Sequence, residues 1–117
     1  MIEMIAFLSF ALFSTVSAAT IADADTARLA YSNCLTEFTT AQLDEKIGTS
    51  AFKKAATTAC SDERNAMITT MKKDEMAFGS SESEATSYAT EEADGVLFSF
   101  TDGYASYASS NTRPVKE

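Results

Sequence analysis

The two cysteines, Cys34 and Cys60, are the residues whose type and spacing carry the clearest chemistry. They lie 26 residues apart, and the midpoint between them falls at Ile47, beside the first glycine of the chain, Gly48. Two antiparallel helices joined by a turn at this midpoint would bring both thiols to the same height. The spacing therefore predicts a helical hairpin closed by one disulfide. In the chain-entropy model, such a link stabilises the fold by about 3.5 kcal/mol.

Two other uses of the cysteines stay open, namely free buried thiols and a redox couple. Redox-active pairs usually form a Cys-X-X-Cys motif, and a helix N-terminus lowers the pKa of their reactive thiol. Cys34 and Cys60 are far apart and are predicted to lie within their helices, away from such an N-terminus. The sequence therefore favours a structural disulfide, which is expected in an oxidising compartment.

Acid–base catalysis would have to depend on carboxylates, because the chain contains no histidine. That absence excludes Ser-His-Asp and Cys-His arrangements and the common zinc sites. The densest group of acids is Glu91, Glu92 and Asp94, with Glu84 two turns earlier. Acids on one helix do not face each other across a cleft, as glycoside hydrolysis requires. We interpret them as a solvent-exposed helix face and predict no catalytic residue.

Metal and cofactor motifs are incomplete. The stretch Asp23-Ala24-Asp25 begins like an EF-hand loop, but Arg28 stands where that loop needs glycine, and Cys34 stands where it needs glutamate. The four glycines are too far apart to form a phosphate-binding loop. The sequence therefore predicts no metal site and no cofactor, with weak divalent-cation binding by the acidic third segment left open.

Aromatic residues accumulate near the C-terminal end of the chain, at Phe98, Phe100, Tyr104 and Tyr107, with Tyr88 ten residues before Phe98. A helical bundle of this length needs large apolar residues from every helix, so these residues can belong to the core. On a helix, however, they would occupy more than one face. An exposed aromatic patch is typical of a partner site or of self-association. These four residues are therefore the candidate partner-binding residues.

The N-terminal segment resembles an export signal. Residues 5–16 are apolar apart from small hydroxyl residues, and the small residues at 16–19 suit a signal peptidase. The segment carries Glu3 in place of the usual basic residue, and it is shorter than the roughly 20 residues that cross a bilayer. We predict a signal peptide over residues 1–18 and a helical domain over 19–108. A retained membrane anchor and a helix of the fold are the alternatives.

Charge narrows the classes of partner. The chain has 17 acidic and 9 basic side chains, for a net charge of −8. An acidic protein of this kind cannot neutralise a phosphate backbone, so a nucleic-acid ligand is not expected. Electrostatic docking on anionic lipid is disfavoured for the same reason. Removal of the predicted signal would leave no segment expected to insert stably into a membrane.

Periodicity predicts an all-α fold, a small antiparallel three-helix bundle in which a disulfide-closed hairpin packs against a third helix. The predicted helices span about 21–46, 50–78 and 81–107, and breaks near Ser61 or Lys72 stay open. A short strand over Val96–Phe100 is the alternative within the third helix. The tail, residues 109–117, is polar and is expected to be disordered.

Helical spacing also predicts which residues face the core. The stripe on the first helix is Ala27, Tyr31, Cys34, Leu35, Phe38 and Ala41. The stripe on the second helix is Phe52, Ala55 or Ala56, Ala59, Cys60, Met67 and Met71, with Ile68 beside it. On the third helix, Ser81 and Glu84 form a capping-box pattern at the start.

These observations favour a small exported protein, periplasmic or secreted, that is not an enzyme and that binds an unknown protein partner or itself. A membrane-anchored envelope protein that keeps its N-terminal segment is the first alternative. An enzyme or redox factor that uses carboxylates or the thiols is the second, and it would need a cleft holding several acids or an exchangeable disulfide.

Overall fold

The computed structural model describes residues 19–117, with side chains from Asp23 onward, and within this part it consists of helices without strands. The predicted signal peptide over residues 1–18 lies outside the described residues. The helices are α1 (Ala19–Asp44), α2 (Thr49–Ala59), α3 (Ser61–Ala77) and α4 (Glu82–Ser110). The all-helical prediction is confirmed, and Val96–Phe100 is helical. The prediction of three helices is corrected to four, because the second one is divided.

The division occurs at Cys60, whose φ of −123° and ψ of 47° interrupt the helix. Hydroxyl groups around it bond to carbonyl oxygens three residues earlier, from Thr57 to Lys54 and from Ser61 to Thr58. Such bonds compete with the helical ladder. Asp62 and Glu63 then lie in the first turn of α3, where the helix dipole favours negative charge. The break therefore has a local cause on both sides.

Contacts between helices define their directions. Arg28 of α1 donates to Glu92 of α4, and Tyr104 near the end of α4 donates to the Ile47 carbonyl just after α1. α1 and α4 therefore run in the same direction. Arg64 of α3 donates to Asp94 of α4, and α2 and α3 together form the antiparallel arm between the two long helices.

The Cys34–Cys60 disulfide joins α1 to the point where α2 meets α3. The two Cα atoms are 6.2 Å apart, and Cys60 is buried in the hydrophobic core. The predicted pairing is confirmed. The covalent link fixes the height of the divided arm along α1.

The core has two different ends. Near the turn between α1 and α2, Phe52 stacks on Tyr104 with ring centroids 3.9 Å apart and on Phe38 at 5.8 Å. Toward the other end, α4 buries alanines alone, at four-residue spacing, facing the methionines of α3. These residues are Ala85, Ala89, Ala93, Met67 and Met71. Small side chains on one helix let a neighbour approach closely.

Most of the predicted stripes lie in the core, and the exceptions are alanines. Tyr31, Leu35 and Phe52 are fully buried, whereas Ala41 and Ala59 are exposed. The predicted cap at the start of α4 is present as well, because the backbone N–H of Glu84 donates to the Ser81 hydroxyl at 3.2 Å.

The C-terminal end of the chain lies against α1. α4 continues to Ser110, two residues beyond the predicted end of the helical domain at 108, and Asn111 ends it in the left-handed conformation, with φ of 54°. The sequence leads us to expect disorder over residues 109–117. In the structure, Arg113, Lys116 and Glu117 all bond to side chains of α1.

Thr39 is the one described side chain whose buried polar atom has no hydrogen-bond partner, and the residue is 0% exposed. A buried hydroxyl without a partner costs about 1–3 kcal/mol, and replacing it with an apolar group of the same shape removes that cost. We therefore expect Thr39→Val to raise the free energy of unfolding by about 1 kcal/mol, measured by urea denaturation.

The control for this substitution is Thr36→Val. Thr36 is also buried, but its hydroxyl donates to the Ser32 carbonyl at 3.0 Å, so its replacement is not expected to stabilise. Equal effects of the two substitutions would contradict the assignment of Thr39 as the unsatisfied residue.

Tyr104 makes the stability depend on pH in the alkaline range. Burial raises the pKa of its phenol, and the charge of Arg113 opposes this shift. Above the unfolded-state value of about 10, the unfolded chain loses this proton more readily than the folded protein does. The stabilising contribution is therefore complete below pH 10 and is lost as the pH rises beyond it.

Tyr104→Phe is expected to lower the free energy of unfolding by about 1 kcal/mol at neutral pH, because the hydrogen bond to Ile47 is lost. Above pH 10 its curve should fall less steeply than that of the parent protein, so the two curves converge. Urea denaturation between pH 7 and 11 measures both. Curves that stay parallel above pH 10 would contradict the raised pKa.

Candidate functional site

Within the described residues, the disulfide gives no set of metal ligands. Its sulfur atoms and a carboxylate oxygen of Glu63 lie within 4.8 Å of one another. A disulfide offers no thiolate to a metal ion, so this trio is not a ligand set. The prediction that both cysteines lie within helices, away from a helix N-terminus, is wrong for Cys60, which lies at the N-cap of α3.

The acidic group on α4 is used for packing between helices. Glu92 accepts from Arg28 of α1 at 3.4 Å, and Asp94 accepts from Arg64 of α3 at 2.6 Å. Arg64 also reaches the Tyr31 hydroxyl at 3.5 Å, which links the three helices. Glu84 and Glu91 are exposed. All four acids lie on α4, and they do not form a pair of carboxylates that face each other across a cleft.

The four candidate partner-binding residues do not form one surface. Phe100 and Tyr104 lie in the core, at 8% and 1% exposure, and Tyr107 is half-buried beside them. Phe98 alone is on the opposite face of α4, at 64% exposure. A core helix with one outward phenylalanine accounts for this distribution, since isolated exposed apolar residues are normal.

A different aromatic surface lies where α1 begins, α3 ends and α4 begins. We call it the Phe78 cleft. Its apolar walls are Ala24, Met71, Phe78 and Tyr88, its acidic rim is Asp25, Asp74 and Glu75, and its volume is about 290 Å³. Phe78 is 81% exposed, and Tyr88 is exposed as well. Two large aromatic side chains therefore meet solvent at the same cleft.

The end of α3 positions Phe78. The Ser80 N–H donates to the Glu75 carbonyl at 3.1 Å and the Gly79 N–H to the Met76 carbonyl at 3.1 Å, which is the Schellman pattern. It needs a left-handed residue, and Gly79 has φ of 103°. Phe78 is the last residue before this turn, so its ring projects from the helix end instead of packing along the core.

The electrostatics of the cleft favour a cation. Asp74 and Glu75 lie in the last turn of α3, which has no basic residue, although the negative end of a helix dipole prefers positive charge. No lysine or arginine lines the cleft. Lys72 nearby donates to Glu82 at 2.9 Å and so lowers the pKa of that carboxyl. The acidic rim is therefore left without a neutralising partner among its own lining residues.

Sequence periodicity missed Phe78 because it lies seven residues after Met71, the last residue of the predicted core stripe. Seven residues are about two helical turns, so periodicity alone places Phe78 on the same face as the stripe. The available signal was Gly79, which marks a helix end and therefore a change of direction for the side chain before it. Tyr88, in contrast, was among the aromatic residues singled out on the third helix.

In the part of the chain that the structure describes, no helix has both the length and the apolar character needed to cross a membrane. Comparison of the chain with protein-family models, with curated proteins and with solved structures gives no match.

Proposed function

We propose that the protein is a small exported helical module without enzymatic activity, and that its Phe78 cleft binds another protein. The observation that carries this proposal is the 81% exposure of Phe78 beside an apolar cleft. An exposed aromatic side chain next to an apolar depression is typical of the centre of a protein interface. The cleft is at the lower limit of the about 300–1,000 Å³ typical of small-molecule sites, which favours an anchoring side chain over a cofactor.

The chemistry of the partner follows from the rim. Asp25, Asp74 and Glu75 line the cleft together with its apolar residues, so the matching surface presents an apolar side chain flanked by lysine or arginine. Opposite charges around an apolar contact speed association and exclude wrong partners. A second copy of this chain, with its net charge of −8, is a poorer match than a basic protein. The cleft therefore supports a basic partner over self-association.

Export is supported by two independent features. Residues 1–18 have the pattern of a signal peptide, and the Cys34–Cys60 disulfide is the kind of link that persists in an oxidising compartment. We therefore place the protein in the periplasm or outside the cell.

The mass of the protein recovered from its native host tests this placement. We expect a chain that begins at Ala19 or Thr20 and that takes up two alkyl groups only after reduction, measured by intact-protein mass spectrometry with and without a reductant. A chain that keeps Met1 and is alkylated at both thiols without reduction would contradict export.

Photo-crosslinking tests the binding surface. A benzoylphenylalanine placed at position 78 in the native host is expected to form an adduct with a partner, and the same group at Phe98 is the matched control because it is also exposed but lies outside the cleft. The adduct is identified by mass spectrometry, and its linked segment should carry lysine or arginine beside an apolar residue. The same adducts from both positions, or none from position 78, would contradict the proposal.

Once a partner is known, Phe78→Ser should weaken binding by about 30-fold, which corresponds to about 2 kcal/mol for a buried anchor. Because Phe78 is exposed in the free protein, its substitution should change the free energy of unfolding by less than about 0.5 kcal/mol. The two measurements together separate loss of binding from loss of fold.

A further inference from the structure

The last residues of the chain contact one face of α1, which we call the α1 face and define by Asn33, Glu37 and Asp44. Arg113 donates to Asp44 through Nε at 3.1 Å and Nη2 at 3.0 Å, and Lys116 donates to Glu37. Asn33 bonds twice to the main chain of Glu117, accepting from its N–H at 3.1 Å and donating to its oxygen at 3.4 Å. The tail therefore runs antiparallel to α1.

The spacing of the two sets of charges matches. Glu37 and Asp44 are seven residues apart on a helix, which is about 10.5 Å. Arg113 and Lys116 are three residues apart, and three residues of extended chain also span about 10 Å. In a helical segment three residues span only about 4.5 Å, which matches the spacing of the two carboxylates less well than an extended segment does. The spacing of the carboxylates on the α1 face therefore favours two cations that lie three residues apart on an extended chain.

The contacts to Asn33 add a second kind of selectivity. A side-chain amide that donates to and accepts from the same residue pairs with the backbone, whatever side chain that residue carries. The α1 face therefore combines recognition of the backbone at one end with recognition of two charges along its length. This combination is suited to a peptide segment and not to a free cation.

We propose that the α1 face is a binding site for an extended segment of another protein that carries two cationic residues three positions apart, and that the tail is its tethered occupant. This site is separate from the Phe78 cleft and does not depend on it. Cavities remain beside the tail, the larger of about 480 Å³ between α1 and Pro114–Lys116, and Val115 is exposed. A segment with larger side chains at these positions would fill that space better than the tail does.

The tail is held weakly enough to be exchanged. The Lys116–Glu37 pair is solvent-exposed, and in the Arg113–Asp44 pair the carboxylate is exposed and the arginine half-buried. An exposed pair contributes about 0–1 kcal/mol. A short tether supplies an effective concentration in the millimolar range, which is what keeps such a weak ligand in place. An external segment with the same contacts and better side-chain packing would therefore replace it.

The experiment uses the full chain with Arg113→Glu and Lys116→Glu, which frees the α1 face without altering it. The probe is a synthetic peptide with the sequence of residues 110–117, added to the ¹⁵N-labelled protein and followed by NMR. We expect the amide signals of Asn33, Glu37 and Asp44 to shift with half-saturation in the millimolar range, and to shift less in the parent protein, where the tail competes.

Two controls separate spacing from general attraction to an acidic protein. The first is the same peptide with one glycine inserted between Pro114 and Val115, which keeps the charge but moves the cations to four positions apart; it should shift these signals at least several-fold less. The second adds Glu37→Lys and Asp44→Lys to the charge-reversed protein, which should restore tail docking and abolish peptide binding. Equal shifts from both peptides, or no shift from either, would overturn the proposal.

Discussion

The Cys34–Cys60 disulfide holds the divided arm of the bundle at its weakest point. At Cys60 the backbone leaves the helical conformation, so α2 and α3 could otherwise rotate independently about α1. The covalent bond removes that freedom where the backbone hydrogen-bond ladder is interrupted. α2 can then place Phe52 between Phe38 and Tyr104, while α3 presents its methionines to the alanines of α4. The two halves of the core meet at this link.

The sequence predicted the features that arise from local periodicity and pairwise chemistry. The cysteine pairing, the cap at Ser81 and the burial of Leu35 and Phe52 follow from spacing alone. A break near Ser61 was left open as an alternative, and the structure has it at Cys60. Spacing alone does not decide it, because Thr57 and Ser61 are tolerated inside helices and their hydroxyl bonds to preceding carbonyl oxygens interrupt the helix only together with the packing of Cys60 in the core. Contacts between Arg113 and Asp44 join residues 69 positions apart, and no local pattern encodes such a register.

At the candidate site, too, local periodicity predicted some features, and others depend on how the helices end and pack. The aromatic residues of α4 were predicted to belong to the core or to an exposed patch. Phe100 and Tyr104 lie in the core, because their spacing from Ala93 keeps them on the buried face of the helix. The aromatic residue that does meet solvent at a cleft, Phe78, owes its position to the turn that ends α3. The acidic residues were predicted only as a solvated surface. In the structure, some of them line the Phe78 cleft and others form the α1 face. The first group favours a cation beside an apolar contact, and the second favours cations on an extended segment.

Because α1 and α4 run in the same direction, the Phe78 cleft and the aromatic stack lie at opposite ends of the molecule. The point at which a label or anchor is joined to the chain therefore affects the two surfaces differently. α1 is 26 residues long, or about 39 Å, and it begins beside the Phe78 cleft and ends at the aromatic stack. Ala24 and Asp25 line the cleft, so a label attached at the start of α1 would lie at the same end of the molecule as the cleft and would restrict access to it. A label or anchor joined after residue 117 instead leaves from the Asn33 end of the α1 face. The side from which the protein is held thus decides which of its two surfaces stays accessible to solution.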